Sequence, residues 1–290
     1  MIALVLAILC QTINASSAIP ALHAKRNITV LGGVEHRSVA LRVLPLGDSI
    51  TNGVGSSDGN GYRHVFVELA EAGGPVTMIG SHNGTGVMPE NEEEGWNGFT
   101  IDQISQKATN ALKAKPNLVL LLAGTNNMNN ASQAATAPAE MSNLLGKVIA
   151  GSPRAVVLVG TILPSTQPGR QSLNDQYNSA LQQIVKDGQS TGKRVLLVPT
   201  GSAVDPDELV DGIHPNDAGY DKMAIAWIQG VNTAQDQGWF EAPEPGDGYV
   251  EPSSRASRLD TNGVLWWHCS LVLVTLIAKD MYDNTLRSNG

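Results

Sequence analysis

The feature that most constrains the fold of this chain is a regular alternation of short apolar runs with longer segments of helical period. Five runs are rich in aliphatic residues, namely "VALRVLPL", "VTMIGS", "NLVLLLAG", "RAVVLVGTIL" and "KRVLLVPT". Several are apolar at every position, which is typical of strands covered on both faces. The alternation with five helical segments predicts an α/β fold, a five-stranded parallel sheet between two layers of helices, in one domain over residues 38–240.

The start of the chain lies outside this alternation. Residues 2–9, "IALVLAIL", are continuously apolar and lead into small residues. This pattern predicts a signal peptide at 1–18 and a secreted, extracellular protein, with a short membrane anchor as the alternative. Residues 19–37 are then an N-terminal leader, in which Lys25-Arg26 is either a processing site after Arg26 or a solvated dibasic pair.

The end of the chain also departs from the alternation. Residues 241–262 read as a Pro/Gly/Ser-rich linker. Beyond it, residues 263–278 are mostly apolar but fall short of the roughly 20 residues that a membrane-spanning helix needs. The segment at 263–290 therefore keeps three interpretations, which are an irregular extension, a membrane-associated tail and a stretch mistranslated from a gene model.

Charge and cysteine usage exclude some classes of function. The net charge of -8 is spread without a basic stripe, so the electrostatic footprint of a nucleic-acid binder is missing and small or neutral partners are expected. Cys10 and Cys269 are the two cysteines, and the body of the chain between them can form no disulfide. Sequons begin at Asn27, Asn83 and Asn130 and predict a glycoprotein if the chain is secreted by a eukaryote.

The first predicted strand ends in "LPLGDSIT", where Ser49 stands between an apolar run and a polar, glycine-rich stretch. In an open parallel α/β sheet, ligands bind beyond the carboxyl ends of the strands, so Ser49 is a candidate nucleophile. Serine is also a preferred residue at the start of a helix. The tripeptide alone leaves both interpretations open.

A serine nucleophile needs a base to accept its proton, and histidine suits that task near neutral pH. Of the six histidines, His214 in "DGIHPN" is the one that follows the fifth predicted strand. Asp211 lies three residues earlier, a spacing at which a tight turn lets the carboxylate orient the imidazole. Read alone, both are ordinary turn and cap residues. Together with Ser49 they form a candidate catalytic triad.

An ester hydrolase also needs donors for the oxyanion, and two further loops supply candidates beside the backbone of Ser49. Asn126 in "LLAGTNN" follows the third predicted strand, and Gly98 in "EGWNGFTI" offers a backbone N–H without a side chain. Taken singly, a glycine and an asparagine in loops are usually turn residues. The three motifs in this order should occur by chance in about one chain in ten thousand.

At these residues the chain resembles the SGNH (GDSL-type) hydrolases, over roughly residues 42–230. "PLGDSITNG", "GYR", "EGWNGFTI" and "NDQYN" are most similar to carbohydrate esterase family 3, whose members include acetylxylan esterases. Ser49, Gly98, Asn126 and His214 fall on the four positions that name the superfamily. The resemblance implies a flavodoxin-like three-layer α/β/α sandwich and removal of acetyl groups from plant polysaccharides. Asn127 departs from the family, which mostly has aspartate there.

Other residues receive secondary roles. Trp96 and Phe99 are candidate substrate-binding residues, as a platform for a sugar. Arg63 is a further candidate at the rim of the site, with a surface or ion-pair residue as the alternative. Asp48 is expected to brace its loop as a hydrogen-bond acceptor. The run Glu92–Glu94 is interpreted as solvated rather than as a metal cluster, and we expect neither metal nor cofactor.

The sequence therefore predicts a secreted, monomeric serine esterase that acts on short-chain esters, with an acetylated polysaccharide such as xylan as substrate. Two alternatives remain. A lipid esterase or acyltransferase of the same fold would share the triad and prefer long acyl chains. A catalytically silent carbohydrate-binding protein would show affinity for sugars without turnover.

Overall fold

The structure is a computed structural model that describes residues 39–246. The predicted signal peptide, the leader and the apolar segment at 263–278 lie outside the described residues. Among residues 39–246, no helix is long and apolar enough to cross a membrane.

The described chain forms a mostly parallel sheet with helices on both faces, which confirms the predicted α/β sandwich. The strands are β1 Leu41–Asp48, β2 Val76–Met78, β3 His82–Asn83, β4 Glu92–Trp96, β5 Leu118–Leu122, β6 Val156–Gly160 and β7 Val195–Val198. The helices are α1 Ser49–Asn52, α2 Arg63–Glu71, α3 Ile101–Ala111, α4 Ala131–Gly151, α5 Arg170–Ser190, α6 Thr200–Ala203 and α7 Asp217–Asp236.

The parallel part of the sheet is five strands wide, because two short strands share one place in it. β2 pairs with the first half of β1 at Leu41–Val43, and β4 pairs with its last residues, so the two strands share one edge of β1. On the other edge, β5, β6 and β7 follow in parallel. The two-residue strand β3 adds an antiparallel pair outside β4. The resulting order matches the flavodoxin-like arrangement, in which ligands bind at the carboxyl edge.

The hydrophobic core lies on both faces of the sheet. All residues of β5 and of β6 are buried, as continuously apolar strands require. Helices α3, α4 and α5 pack in succession, while α2 packs against α7. Trp227 of α7 is fully buried and approaches β6 so closely that a Cβ on Gly160 would lie 2.8 Å from its ring.

The strand β4 was missed by the sequence interpretation, and the solvated run proposed for Glu92–Glu94 is wrong. Glu93 and Glu94 have no exposed surface. Burying a carboxylate is unfavourable unless hydrogen bonds replace its water. Here Asn52 donates to Glu93 at 2.9 Å, and the backbone and hydroxyl of Ser81 donate to Glu94 at 2.9 and 3.0 Å. These donors come from remote segments and allow an acidic strand inside the fold.

Residues 241–246 continue from α7 along the amino-terminal end of the sheet. Arg42 donates to the carbonyl of Glu244 at 2.8 Å, and the side chain of Asn117 donates to the carbonyl of Glu241 at 2.8 Å. Arg194 forms an ion pair with the Glu241 carboxylate. The first residues of the predicted linker are therefore bound to the domain.

Candidate active site

Three residues from the two ends of the domain form a continuous hydrogen-bond relay. Ser49 Oγ lies 2.8 Å from Nε2 of His214, and Nδ1 of His214 lies 2.7 Å from Oδ2 of Asp211. The serine is separated from the histidine by 165 positions in the sequence. The fold thus brings together the predicted nucleophile, the predicted base and the carboxylate predicted to orient that base.

Ser49 begins the short helix α1 directly after β1. Oδ1 of Asp48 accepts a hydrogen bond from the backbone N–H of Ile50 at 3.0 Å and caps the helix. Gly53, with φ +98°, ends the helix in a conformation that favours glycine. Asp48 thus braces the turn that presents Ser49.

Asp211 and His214 belong to a tight turn that is closed by its own backbone. The N–H of Val210 donates to the carbonyl of His214 at 2.8 Å. Oδ1 of Asp211 also accepts from the backbone N–H of Ile213 at 3.0 Å and of His214 at 2.9 Å. The carboxylate therefore fixes both the turn and the imidazole.

The charge state of Asp211 follows from these contacts. Its partial burial disfavours ionisation, but the hydrogen bonds from the backbone and imidazole of His214 and from Ile213 outweigh that effect and lower the pKa of Asp211. Asp211 is therefore a carboxylate at neutral pH, as an orienting group must be.

Gly98 lies in an exposed turn that follows β4. The N–H of Phe99 donates to the carbonyl of Trp96 at 3.1 Å and closes the turn. Gly98 adopts φ +78°, which strongly favours glycine. The paired positions of β1 and β4 end at Asp48 and Trp96, so Ser49 and Gly98 leave the sheet from neighbouring strand ends.

The side chains of Asn126 and Asn127 have different surroundings. Nδ2 of Asn126 donates to the carbonyl of Phe99 at 3.0 Å, and its residue lines the site. Asn127 is buried, accepts from the N–H of Ile101 at 3.0 Å and donates to Glu140 at 2.8 Å. Asn127 thus braces the loop. Its N–H₂ group donates to the carboxylate of Glu140, a contact that an aspartate at this position could not make in its ionised form.

The candidate groups share one cleft of about 260 Å³ at the carboxyl edge of the sheet. Its lining residues are Ser49, Val54, Asn97, Gly98, Thr125, Asn126, Ile213 and His214. The structure therefore brings the predicted nucleophile, the predicted base and both predicted oxyanion residues to one opening. Val54 and Ile213 supply aliphatic walls that the sequence interpretation had not assigned.

A buried charge that the sequence interpretation missed lies beneath this cleft. Arg170, at the start of α5, is 7% exposed and donates to the carbonyl of Thr125 and to Asn129, the latter at 2.7 Å. It therefore holds the 3₁₀ turn that carries Asn126. Desolvation raises the pKa of the fully buried Asp48 to about 6, although Ile50, Thr125, His214 and Arg170 favour its ionised form.

The three candidate substrate-binding residues lie outside the cleft lining. Trp96 and Phe99 stack with ring centroids 5.6 Å apart, and Lys107 lies 4.1 Å from the Trp96 centroid. Arg63 is fully buried, which corrects its interpretation as a rim or surface residue. Its guanidinium donates to backbone carbonyls, including that of Thr51 at 3.0 Å, because these need donors where water is excluded.

Among the residues that the structure describes, no group of three or more His, Cys, Asp or Glu side chains could hold a metal ion.

Comparisons with known proteins bear on the family and the fold. Residues 46–222 match the GDSL-like Lipase/Acylhydrolase family. A multidomain esterase from Ruminococcus flavefaciens is 25% identical over a 282-residue alignment that covers 85% of this chain and 36% of that protein. The chain thus spans about a third of the length of this curated relative.

Solved structures show the same fold. A family 3 carbohydrate esterase from Clostridium thermocellum is 26% identical, with a TM-score of 0.60 over 68% of this chain and 98% of that one. A family 3 carbohydrate esterase from Talaromyces cellulolyticus is 23% identical, with a TM-score of 0.55 over 68% and 99% of the two chains. The acetylxylan esterase Axe2 from Geobacillus stearothermophilus is 19% identical, with a TM-score of 0.51 over 69% and 96%.

The last two structures are similar in fold alone, whereas the family match spans Ser49, Gly98, Asn126 and His214. On that match the chain belongs to the GDSL-like lipase/acylhydrolase family, and its described domain is that of a carboxylic ester hydrolase.

Proposed function

We propose that this protein is a secreted serine esterase that removes acetyl groups from a plant cell-wall polysaccharide such as xylan. The observation that carries the proposal is the relay from Asp211 through His214 to Ser49, which opens on a small cleft that Gly98 and Asn126 also line.

In the proposed reaction, Ser49 Oγ attacks the ester carbonyl while Nε2 of His214 accepts the hydroxyl proton. The tetrahedral intermediate collapses, and His214 returns the proton to the leaving sugar oxygen, which departs as an alcohol. Water then attacks the acyl-enzyme by the same route and releases the carboxylic acid. Asp211 keeps Nδ1 protonated throughout, so Nε2 is free to act as the base.

The negative charge that develops on the carbonyl oxygen needs donors already in place. The backbone N–H groups of Ser49 and Gly98 and the side chain of Asn126 supply them. One N–H of the Asn126 amide is used by the Phe99 carbonyl at 3.0 Å, which fixes the amide and leaves its second hydrogen for the substrate. Each such donor contributes about 3 kcal/mol to the stability of the transition state.

The preference for short acyl groups is supported by the size of the cleft. Its volume of about 260 Å³ lies below the roughly 300–1,000 Å³ of pockets that enclose drug-sized ligands. Val54 and Ile213 can contact a methyl group beside Ser49, and a long acyl chain would extend into solvent. The names of the relatives, which include acetylxylan esterases, support an acetylated carbohydrate as the substrate. The apolar amino-terminal segment supports secretion.

A panel of esters tests the proposal. The purified full chain is assayed on 4-nitrophenyl esters of graded acyl length and on acetylated xylan, with Ser49→Ala as the control. We expect the highest kcat/KM on the acetyl ester, acetate release from xylan, and loss of nearly all turnover in the folded Ser49→Ala variant. A maximum at eight or more acyl carbons would indicate a lipid esterase, and sugar affinity without turnover would indicate a binding protein.

A further inference from the structure

Glu93 is a fully buried carboxylate that lies outside the catalytic relay. Oε1 accepts a hydrogen bond from Nδ2 of Asn52 at 2.9 Å, and Oε2 accepts one from the backbone N–H of Gly95 at 2.5 Å. An ionised group without these donors would be strongly unfavourable at this depth. The position of Glu93 is therefore tied to the positions of both partners.

The two partners belong to the two segments that supply the backbone donors of the oxyanion. Asn52 ends α1, the helix that Ser49 begins, and Gly95 lies three residues before Gly98 in the strand and turn that follow. β1 and β4 pair directly before these segments separate. Past the last pair, between Asp48 and Trp96, the hydrogen bond from Asn52 to Glu93 joins α1 to β4.

The close approach of the segments depends on the absence of a side chain at Gly95. A Cβ there would lie 2.5 Å from the backbone nitrogen of Asn52 and 2.3 Å from Oε2 of Glu93. The carboxylate therefore fills the space between the two backbones and hydrogen bonds to both sides.

The surroundings of Glu93 supply compensating charge. Burial raises its pKa, whereas the guanidinium of Arg63 and the imidazole of His82 oppose that shift. Nδ1 of His82 lies 3.4 Å from Oε1 of Glu93. Arg63 also donates to the carbonyl of Asn52 at 3.1 Å. The Arg63 guanidinium and the Glu93 carboxylate therefore both hydrogen bond to Asn52, the last residue of α1.

We propose that Glu93 is a positioning residue that holds the N–H groups of Ser49 and Gly98 at a fixed separation, acting through Asn52 and Gly95. The inference rests on the proposed esterase function. The buried carboxylate would then fix the geometry of the oxyanion site. The tetrahedral intermediate depends on that geometry more than the bound ester does.

The test begins with Glu93→Gln, which keeps the size of the side chain. An amide can accept from one partner, but it presents an N–H₂ group to the other, where a donor then faces a donor. We expect kcat on 4-nitrophenyl acetate to fall at least tenfold with KM within about twofold, because the misplaced donors act in the transition state. Glu92→Gln, the same change one residue earlier on a half-exposed side chain, should leave both constants unchanged.

A reversed pair separates positioning from a general loss of stability. In the double variant Glu93→Gln with Asn52→Asp, the new amide can donate to the new carboxylate while its oxygen still accepts from Gly95. The net charge is that of the wild type. Recovery of most of kcat in the double variant supports the inference, whereas no recovery, or a kcat for Glu93→Gln within twofold of the wild type, overturns it.

A second measurement decides the case in which the wild type fails to hydrolyse esters. That result would remove the proposed function, and amide hydrogen exchange would then be compared in residues 49–53 and 95–98. Faster exchange in both segments of Glu93→Gln, but not of Glu92→Gln, supports the positioning role, and unchanged exchange overturns it.

Discussion

Asn126 and Asn127 are adjacent in the sequence, yet the first lines the cleft and the second is buried between the start of α3 and Glu140 of α4. The difference arises because the 3₁₀ turn at Thr125–Asn129 directs neighbouring side chains to different sides. Two neighbouring asparagines thus differ in place, one at the cleft and one in the interior.

Asn126→Ala should lower kcat by about 10²–10³-fold with little change in KM, because its amide is proposed to bind the oxyanion more strongly than the ground-state carbonyl. Steady-state kinetics on 4-nitrophenyl acetate measure both constants. A rise in KM at constant kcat would assign Asn126 to ordinary substrate binding instead.

Asn127→Ala should chiefly lower the melting temperature. It leaves the N–H of Ile101 and the carboxylate of Glu140 without the partners that they now have at 3.0 and 2.8 Å. Lost buried hydrogen bonds of this kind destabilise by about 1–3 kcal/mol. Thermal melts and kinetics on the two single variants check the contrast, and an exchange of the two phenotypes would show that the oxyanion donor is Asn127.

Asp211→Asn should preserve the fold and lower kcat by about 10⁴-fold, because an amide favours the wrong tautomer of His214. Asp205→Asn is the matched control, since Asp205 lies in the same region but pairs with Lys222 at 2.6 Å on the surface. The control should retain full activity. Comparable losses in both variants would argue for a general electrostatic effect.

Relative to the wild type, Asp48→Asn should stabilise the protein more at neutral pH than at acid pH. Folding raises the pKa of Asp48 from 3.8 to about 6, so between these values the folded protein binds more protons than the unfolded chain. The contribution of Asp48 to the free energy of unfolding therefore falls as pH rises through that window and stays low above it. Asparagine removes this penalty and can still cap α1.

The measurement is a series of melts at about pH 4, 6 and 8 on the wild type and on Asp48→Asn. The difference in melting temperature, variant minus wild type, should increase with pH. A difference that is independent of pH would show that Asp48 does not titrate in this range.

Truncation tests the contacts of the carboxyl-terminal residues of the described domain. A chain that ends at Gly246 should keep esterase activity and the melting temperature of the full chain. A chain that ends at Phe240 should melt several degrees lower, because Arg42 and Asn117 lose their acceptors on Glu244 and Glu241. Misfolding of the chain that ends at Gly246 would show that residues after 246 belong to the core.

Most of the sheet could be predicted from sequence because β5 and β6 are apolar throughout, a pattern that surface segments rarely show. β4 could not be predicted, because "EEEGW" has the composition of a solvated loop. Its burial depends on donors from Asn52 and Ser81, which no local pattern reveals.

Ser49 and Asn126 were accessible to sequence reasoning because each closely follows a strand that the sequence predicts, and parallel strands end at one edge. The supporting residues were not. Arg170 reaches the carbonyl of Thr125 from a different helix, and Arg63 reaches Thr51 from the side that faces away from solvent. Such roles depend on contacts with residues that are remote in the sequence, and the residues next to either arginine do not reveal them.

The turn from Val210 to His214 has a mechanical consequence. Asp211 accepts hydrogen bonds from the backbone and the imidazole of His214, so the carboxylate and the imidazole are held together on one turn, and the carbonyl of Gly212 accepts a hydrogen bond from the hydroxyl of Ser165 at 2.9 Å. Ser49 lies on a different segment, at the start of α1. Heat or pressure that changes the separation of these two segments would therefore break the 2.8 Å contact between Ser49 and His214 while each segment keeps its own hydrogen bonds.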